Sequence, residues 1–276
     1  MLENIKKRAV IILIWLLFFF LLGWGLYSVF RTKATCFDGV KNQNEEDVDC
    51  GGVCFKQCKK VEAKELFVGE VGVVDSSVAG QYDFFGVVSN PNSLYGSASF
   101  DYQIKFSDED GAVLGEKSGN SFILPGDKKY IIENNIALPA TPAKIEMTTS
   151  NSRWVEFNEE YSKPELKIIN KTYGPITDGV GFYEAKGLLK NDSPYDFATI
   201  KIGVILKDGS GKIVALNSTA MQTVRSNEVR DFRVFWPGRF SGEVTNPETQ
   251  IEVNIFNSDS FAKKNIKVQK FQNYSN

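Results

Sequence analysis

The chain has 276 residues, a formal charge of -2 and no histidine. Near-neutral charge sets up no field that draws nucleic acid, so no nucleic-acid partner is expected. The lack of histidine excludes Ser-His-Asp and Cys-His catalysis in their usual forms, and with them histidine-ligated metals.

Residues 9–30 form an uncharged run rich in Val, Ile, Leu, Phe and Trp. As a helix it reaches roughly 33 Å at about 1.5 Å per residue, against a bilayer core of roughly 30 Å. The expectation is one transmembrane helix over 9–30, with the lipid bilayer as its partner and a cytoplasmic N-terminus over 1–8. Lys6, Lys7 and Arg8 precede the run, and Arg31 and Lys33 follow it, a small bias for the N-terminus inside. The expected location is then the plasma membrane, single-pass, with the C-terminal domains outside. A cleaved signal peptide fits less well, because the apolar core is too long and no small-x-small site follows it cleanly.

Residues 31–60 hold all four cysteines, Cys36, Cys50, Cys54 and Cys58. The segment has too little apolar content for a core and needs cross-links. Four cysteines allow three pairings, and spacing does not choose among them. A four-thiolate zinc site is the rival, though such sites favour two close pairs. Asp38, Asn42, Glu45 and Asp49 offer oxygens of the kind calcium takes, so these four are the candidate metal ligands. A solvated acidic loop is the plain alternative. Gly39, Gly51 and Gly52 permit the turns such a loop needs. The pattern from Cys36-x-Asp38-Gly39-x-x-Asn42-x-x-Glu45 to Asp49-Cys50-Gly51-Gly52-x-Cys54 resembles a small cysteine-rich module of secreted and surface bacterial proteins. That module usually ends in Cys-x-x-Cys, whereas Phe55-Lys56-Gln57 here makes the last spacing one longer. The resemblance implies an extracytoplasmic spacer and no activity.

Beyond Lys60 apolar residues alternate with polar ones. Phe100, Tyr102, Ile104 and Phe106 stand against Asp101, Gln103 and Lys105. Ile200, Ile202, Val204 and Leu206 repeat the pattern, and Ile251, Val253 and Ile255 repeat it again. Period two predicts half-buried strands. The series also comes twice. Gly86-Val87-Val88-Ser89-Asn90, the turn Asp108 to Gly111 and Leu124-Pro125-Gly126-Asp127 recur about 100 residues on as Gly187 to Asn191, Asp208 to Gly211 and Arg225-Ser226-Asn227-Glu228. Gly111 and Gly211 are the expected positive-φ residues of two hairpins.

The fold class is therefore mainly β, with a first sandwich at 61–150, a linker at 151–164, a second sandwich at 165–257 and a tail at 258–276. Each sandwich is expected to hold seven strands of immunoglobulin type. On the Gly-x-x-x-Asn and Asp-x-x-Gly motifs the copies resemble FxLYD-type and LEA-like sandwiches of bacterial envelope proteins. The whole layout resembles membrane-anchored surface proteins of small-genome bacteria. Trp154, Phe157 and Tyr161 in the linker are read as closing copy one or packing the seam, and Trp236 as a buried corner.

No phosphate-binding loop, dinucleotide fingerprint or nucleophile elbow occurs. Asp108, Glu109 and Asp110 sit in a solvated hairpin tip. No catalytic residue and no cofactor other than calcium is assigned, and the chain is read as non-enzymatic. The expected function is a membrane-anchored binding or scaffold protein outside the cytoplasm, with an unknown protein or glycan partner. The alternative is a structural subunit of an envelope or secretion assembly, whose anchor packs against partner membrane proteins.

Overall fold

The computed structural model describes residues 13, 15–24, 35–46, 48–58 and 63–266. Two compact units divide the chain: residues 1–60 with 270–276, and residues 61–269.

In the first unit the described helical backbone covers residue 13 and residues 15–24. Among the described residues no helix is long and apolar enough to cross a membrane. This corrects the anchor expected over 9–30, and the single-pass plasma-membrane location built on it. Hydropathy measures the length of an apolar run, but a span needs unbroken helical hydrogen bonding along that length. The remainder of that expectation, at 1–12, 14 and 25–34, lies outside the described residues.

The cysteine segment consists of turns and bends, with disulfides Cys36–Cys54 and Cys50–Cys58. The two closed loops overlap in sequence, so neither half of the segment can open alone. Cys50 and Cys54 are buried.

Among its described residues the second unit contains twelve strands in two runs of six. The first run is β1 (Phe67–Asp75), β2 (Gln81–Ser89), β3 (Tyr95–Ser107), β4 (Val113–Ile123), β5 (Lys128–Ala137) and β6 (Lys144–Glu156). The second is β7 (Leu166–Pro175), β8 (Tyr183–Asn191), β9 (Phe197–Lys207), β10 (Ile213–Val224), β11 (Val229–Trp236) and β12 (Asn246–Val253). Pairing is antiparallel, in the orders β1-β2-β5, β4-β3-β6, β11-β8-β7 and β10-β9-β12. Shifting each strand number by six maps the first pair of sheets onto the second. The recurrence in sequence is thus a recurrence in topology.

Each copy has six described strands, not the seven expected. Turn signals count hairpins, and they do not show whether a further strand joins the sheet. β6 runs to Glu156, so it takes in residues expected as linker, and Trp154 packs on the first core. After β12 the chain makes a short 3-10 turn, Ile255–Asn257, and a short helix, Asp259–Asn265.

Inside copy one, Phe84 and Val88 of β2 meet Phe100, Ile104 and Phe106 of β3. In copy two, Leu189 of β8 and Phe232 of β11 meet Ile200, Ile202 and Val204 of β9. A third cluster joins the copies. Phe85 of β2 and Ile132 of β5 pack on Ile205 of β9 with Ile213 and Leu216 of β10. Neighbours on one strand therefore serve different layers: Phe84 and Phe85, Ile131 and Ile132, Val204 and Ile205. This is why β2 is buried on both faces where a simple sandwich strand would alternate. The four sheets stack as one body. Phe157 and Tyr161 beyond β6 meet Phe256 of the 3-10 turn and Phe261 of the short helix and close the seam.

Candidate functional site

The four candidate calcium ligands converge on one set of turns. Asp38 accepts from the backbone N–H of Thr35 and Val40, at 2.7 and 2.9 Å, and from Asn42 Nδ2 at 3.0 Å. These bonds, Thr35 first, hold its carboxyl below the usual range. Both oxygens of Asp49 lie 3.0 Å from the amide of Gly39. Buried Glu45 accepts from the amides of Asn42 and Asp49 at 3.0 and 3.3 Å. The carboxylates thus fasten backbone amides in turns. Of the four side chains, Asn42 Oδ1 alone is buried without a hydrogen-bond partner. Calcium takes six or more oxygens, so the set fits calcium only in part. All four sulfurs are in disulfides, which leaves no thiolate for zinc.

Gly52, at φ 55°, shows why this segment is written as it is. A Cβ there would lie 1.9 Å from the carbonyl oxygen of Asn44.

The acids of the first hairpin do not form a site. Asp108 Oδ1 accepts from the amide of Ala112 at 2.8 Å, and Glu109 and Asp110 are exposed. In the second hairpin Asp208 Oδ1 accepts from Ser210 and Lys212. Gly111 and Gly211 take φ of 84° and 88° as expected.

A site that the strand pattern did not reveal lies between the copies. A cleft of about 190 Å³ is lined by Phe122, Leu124, Leu166 and Val253, with Lys129, Gln250 and Glu252 on one side and the charged Asp127, Lys128 and Lys163 on its rim. Lys129, on β5, is buried, and its Nζ lies 2.5 Å from Glu252 Oε2 on β12. The amine also stands 4.3 Å from the centre of the Phe122 ring. Burial pushes the lysine pKa down, against the opposing pull of Glu252. Gln250 completes the group. Its Oε1 accepts from the Tyr130 amide at 2.6 Å, while its Nε2 donates to the Tyr130 carbonyl at 3.0 Å and to Glu252 Oε1 at 2.9 Å. Only the separation of Lys129 from Glu252, more than 120 positions, hid this cluster from a linear reading.

The β11-β8-β7 sheet turns one face to solvent. Ile169, Val229 and Phe235 are exposed on it. In register, Ile169 pairs with Leu188 and Leu188 with Asp231. Arg233 bonds Glu184 at 2.7 Å and lies over the Phe235 ring. Val180, in the loop between β7 and β8, is 88% exposed.

No protein-family model matches the chain, and no curated protein matches it. Among solved structures, red sea bream transglutaminase is similar over 70% of this chain and 29% of its own, at 12% identity and TM-score 0.21. The calcium-binding domain CBD12 of CALX1.1 is similar over 59% of this chain and 74% of its own, at 12% identity and TM-score 0.20. The chain thus spans under a third of the transglutaminase. At such scores the fold rests on the chain's own strands and cores.

Proposed function

We propose that the chain is a non-catalytic binding or scaffold protein. Its two sandwiches are of immunoglobulin type and of the FxLYD- and LEA-like kind. One observation carries this reading: the β11-β8-β7 sheet exposes large apolar side chains, Ile169, Val229 and Phe235, set among paired charges. Apolar anchors ringed by polar groups are the composition of a protein-recognition surface. The inferred partner is a protein that meets this face. The disulfide module serves as a stiff spacer, of a kind kept in oxidising compartments.

The test is co-purification with the full chain, wild type against an Ile169→Lys, Phe235→Glu double variant. A partner held by the wild type and lost by a variant with an unchanged melting curve supports the reading. An identical set recovered with both proteins removes this face from consideration.

A further inference from the structure

Buried Lys129 and half-buried Glu252 and Gln250 form a connected chain that no binding role uses. One carboxylate spans two nitrogens: Oε2 holds the amine of Lys129 at 2.5 Å, and Oε1 holds the amide nitrogen of Gln250 at 2.9 Å. The Gln250 carbonyl is fixed by the Tyr130 amide at 2.6 Å. From this juxtaposition we propose that Lys129 and Gln250 join in an intramolecular isopeptide bond, with Glu252 as proton carrier, which welds β5 of the first sandwich to β12 of the second.

Each group suits its part. Desolvation favours the neutral, nucleophilic form of a lysine, and burial moves the Lys129 pKa in that direction while Glu252 stands ready to take the proton. The Tyr130 N–H points at the oxygen where negative charge develops as the carbonyl is attacked. Glu252 touches both the nitrogen that must lose a proton and the nitrogen that must gain one. The Glu252 carboxylate holds both reacting side chains at one point of the fold, which shortens the search for the attack geometry.

The atoms balance without an oxidant or a cofactor. Lys129 Nζ bonds to Gln250 Cδ, and the bond from Cδ to Nε2 breaks. One proton leaves Nζ for Glu252 and passes to Nε2, which departs as ammonia. The product is a secondary amide, and nothing is oxidised or reduced. The cleft beside the cluster gives ammonia a way out.

The test is the intact mass of the purified, reduced full-length protein, followed by peptide mapping. The expected result is a mass below the sequence mass by one ammonia, with a branched peptide joining Lys129 to Gln250. The Glu252→Gln variant, which keeps the shape and loses the proton carrier, is expected at full sequence mass. An unmodified wild-type mass overturns the proposal. So does loss of one water with Lys129 joined to Glu252, or ammonia loss mapped to any other residue. A Glu252→Gln protein cross-linked as fully as the wild type overturns the role of Glu252.

Discussion

At the residue scale, the copies share one buried polar device. Asn90 Nδ2 donates to the carbonyls of Tyr95 and Leu124, and Asn191 Nδ2 donates to those of Tyr195 and Arg225. Each Oδ1 accepts from the amide two residues on, at Asn92 and Ser193. The side chain ties the end of β2 and of β8 to the turn that follows and to the loop before β5 and β11. Asn191→Ala removes the side-chain donor to the Tyr195 and Arg225 carbonyls and the acceptor for the Ser193 amide, which is expected to cost about 1–3 kcal/mol in denaturant unfolding. Asp83 behaves differently. It is buried, and desolvation raises its pKa against the hydrogen bond from the Asn135 amide. A raised acid pKa means stability is greatest below the ordinary aspartate range and falls as pH rises through the folded value. Asp83→Asn keeps an acceptor for Asn135 without the charge. Its melting temperature is expected above wild type at neutral pH, with the gap closing in acid. A parallel pair of melting curves across pH would refute the assignment.

At the element scale, the cysteine segment and the strands hold their shapes by different means. The segment has buried cysteines and one buried glutamate at its centre instead of a core. Disulfides of this loop length contribute about 3 kcal/mol each by restricting the unfolded chain. Reduction is expected to open residues 35–58 to proteolysis while the strands of the second unit stay protected, which mass mapping of limited digests reads directly. The carboxylates there already hold backbone amides, so a chelator is expected to leave that protection unchanged. Protection that appears only with added calcium would instead assign the oxygens of Asp38, Asn42, Glu45 and Asp49 to the ion. Strand positions were legible in sequence because Phe100 to Phe106 and Ile200 to Leu206 alternate, and the Asp-x-x-Gly turns mark their ends. β2 was less legible, since Phe84 and Phe85 are both buried and alternation breaks down where two layers meet.

At the scale of the molecule, the shared layer makes the sandwiches one cooperative body. Ile205 is fully buried between the copies. Ile205→Ala is expected to cost about 2–5 kcal/mol through the cavity it leaves. Because the site belongs to both copies, the wild type is expected to unfold in one calorimetric transition. Ile205→Asp places an unpaired charge in the layer and is expected to split that transition in two. A wild type that already shows two transitions would contradict the shared layer.

The sequence by itself determined the β class, the twofold recurrence, the hairpin glycines and the local cross-linked segment. Each of these rests on short-range chemistry: side-chain period, backbone conformation, and cysteines close along the chain. Only the tertiary structure decided the pairing of the cysteines, the six strands per copy, the stacking of the copies through Phe85, Ile132 and Ile205, and the meeting of Lys129 with Gln250 and Glu252. It also overturned the anchor read from residues 9–30, since among the described residues no helix is long and apolar enough to cross a membrane, and an apolar run by itself states only a solvent preference. Contacts across more than a hundred residues leave no periodic trace, since they depend on how whole sheets face one another.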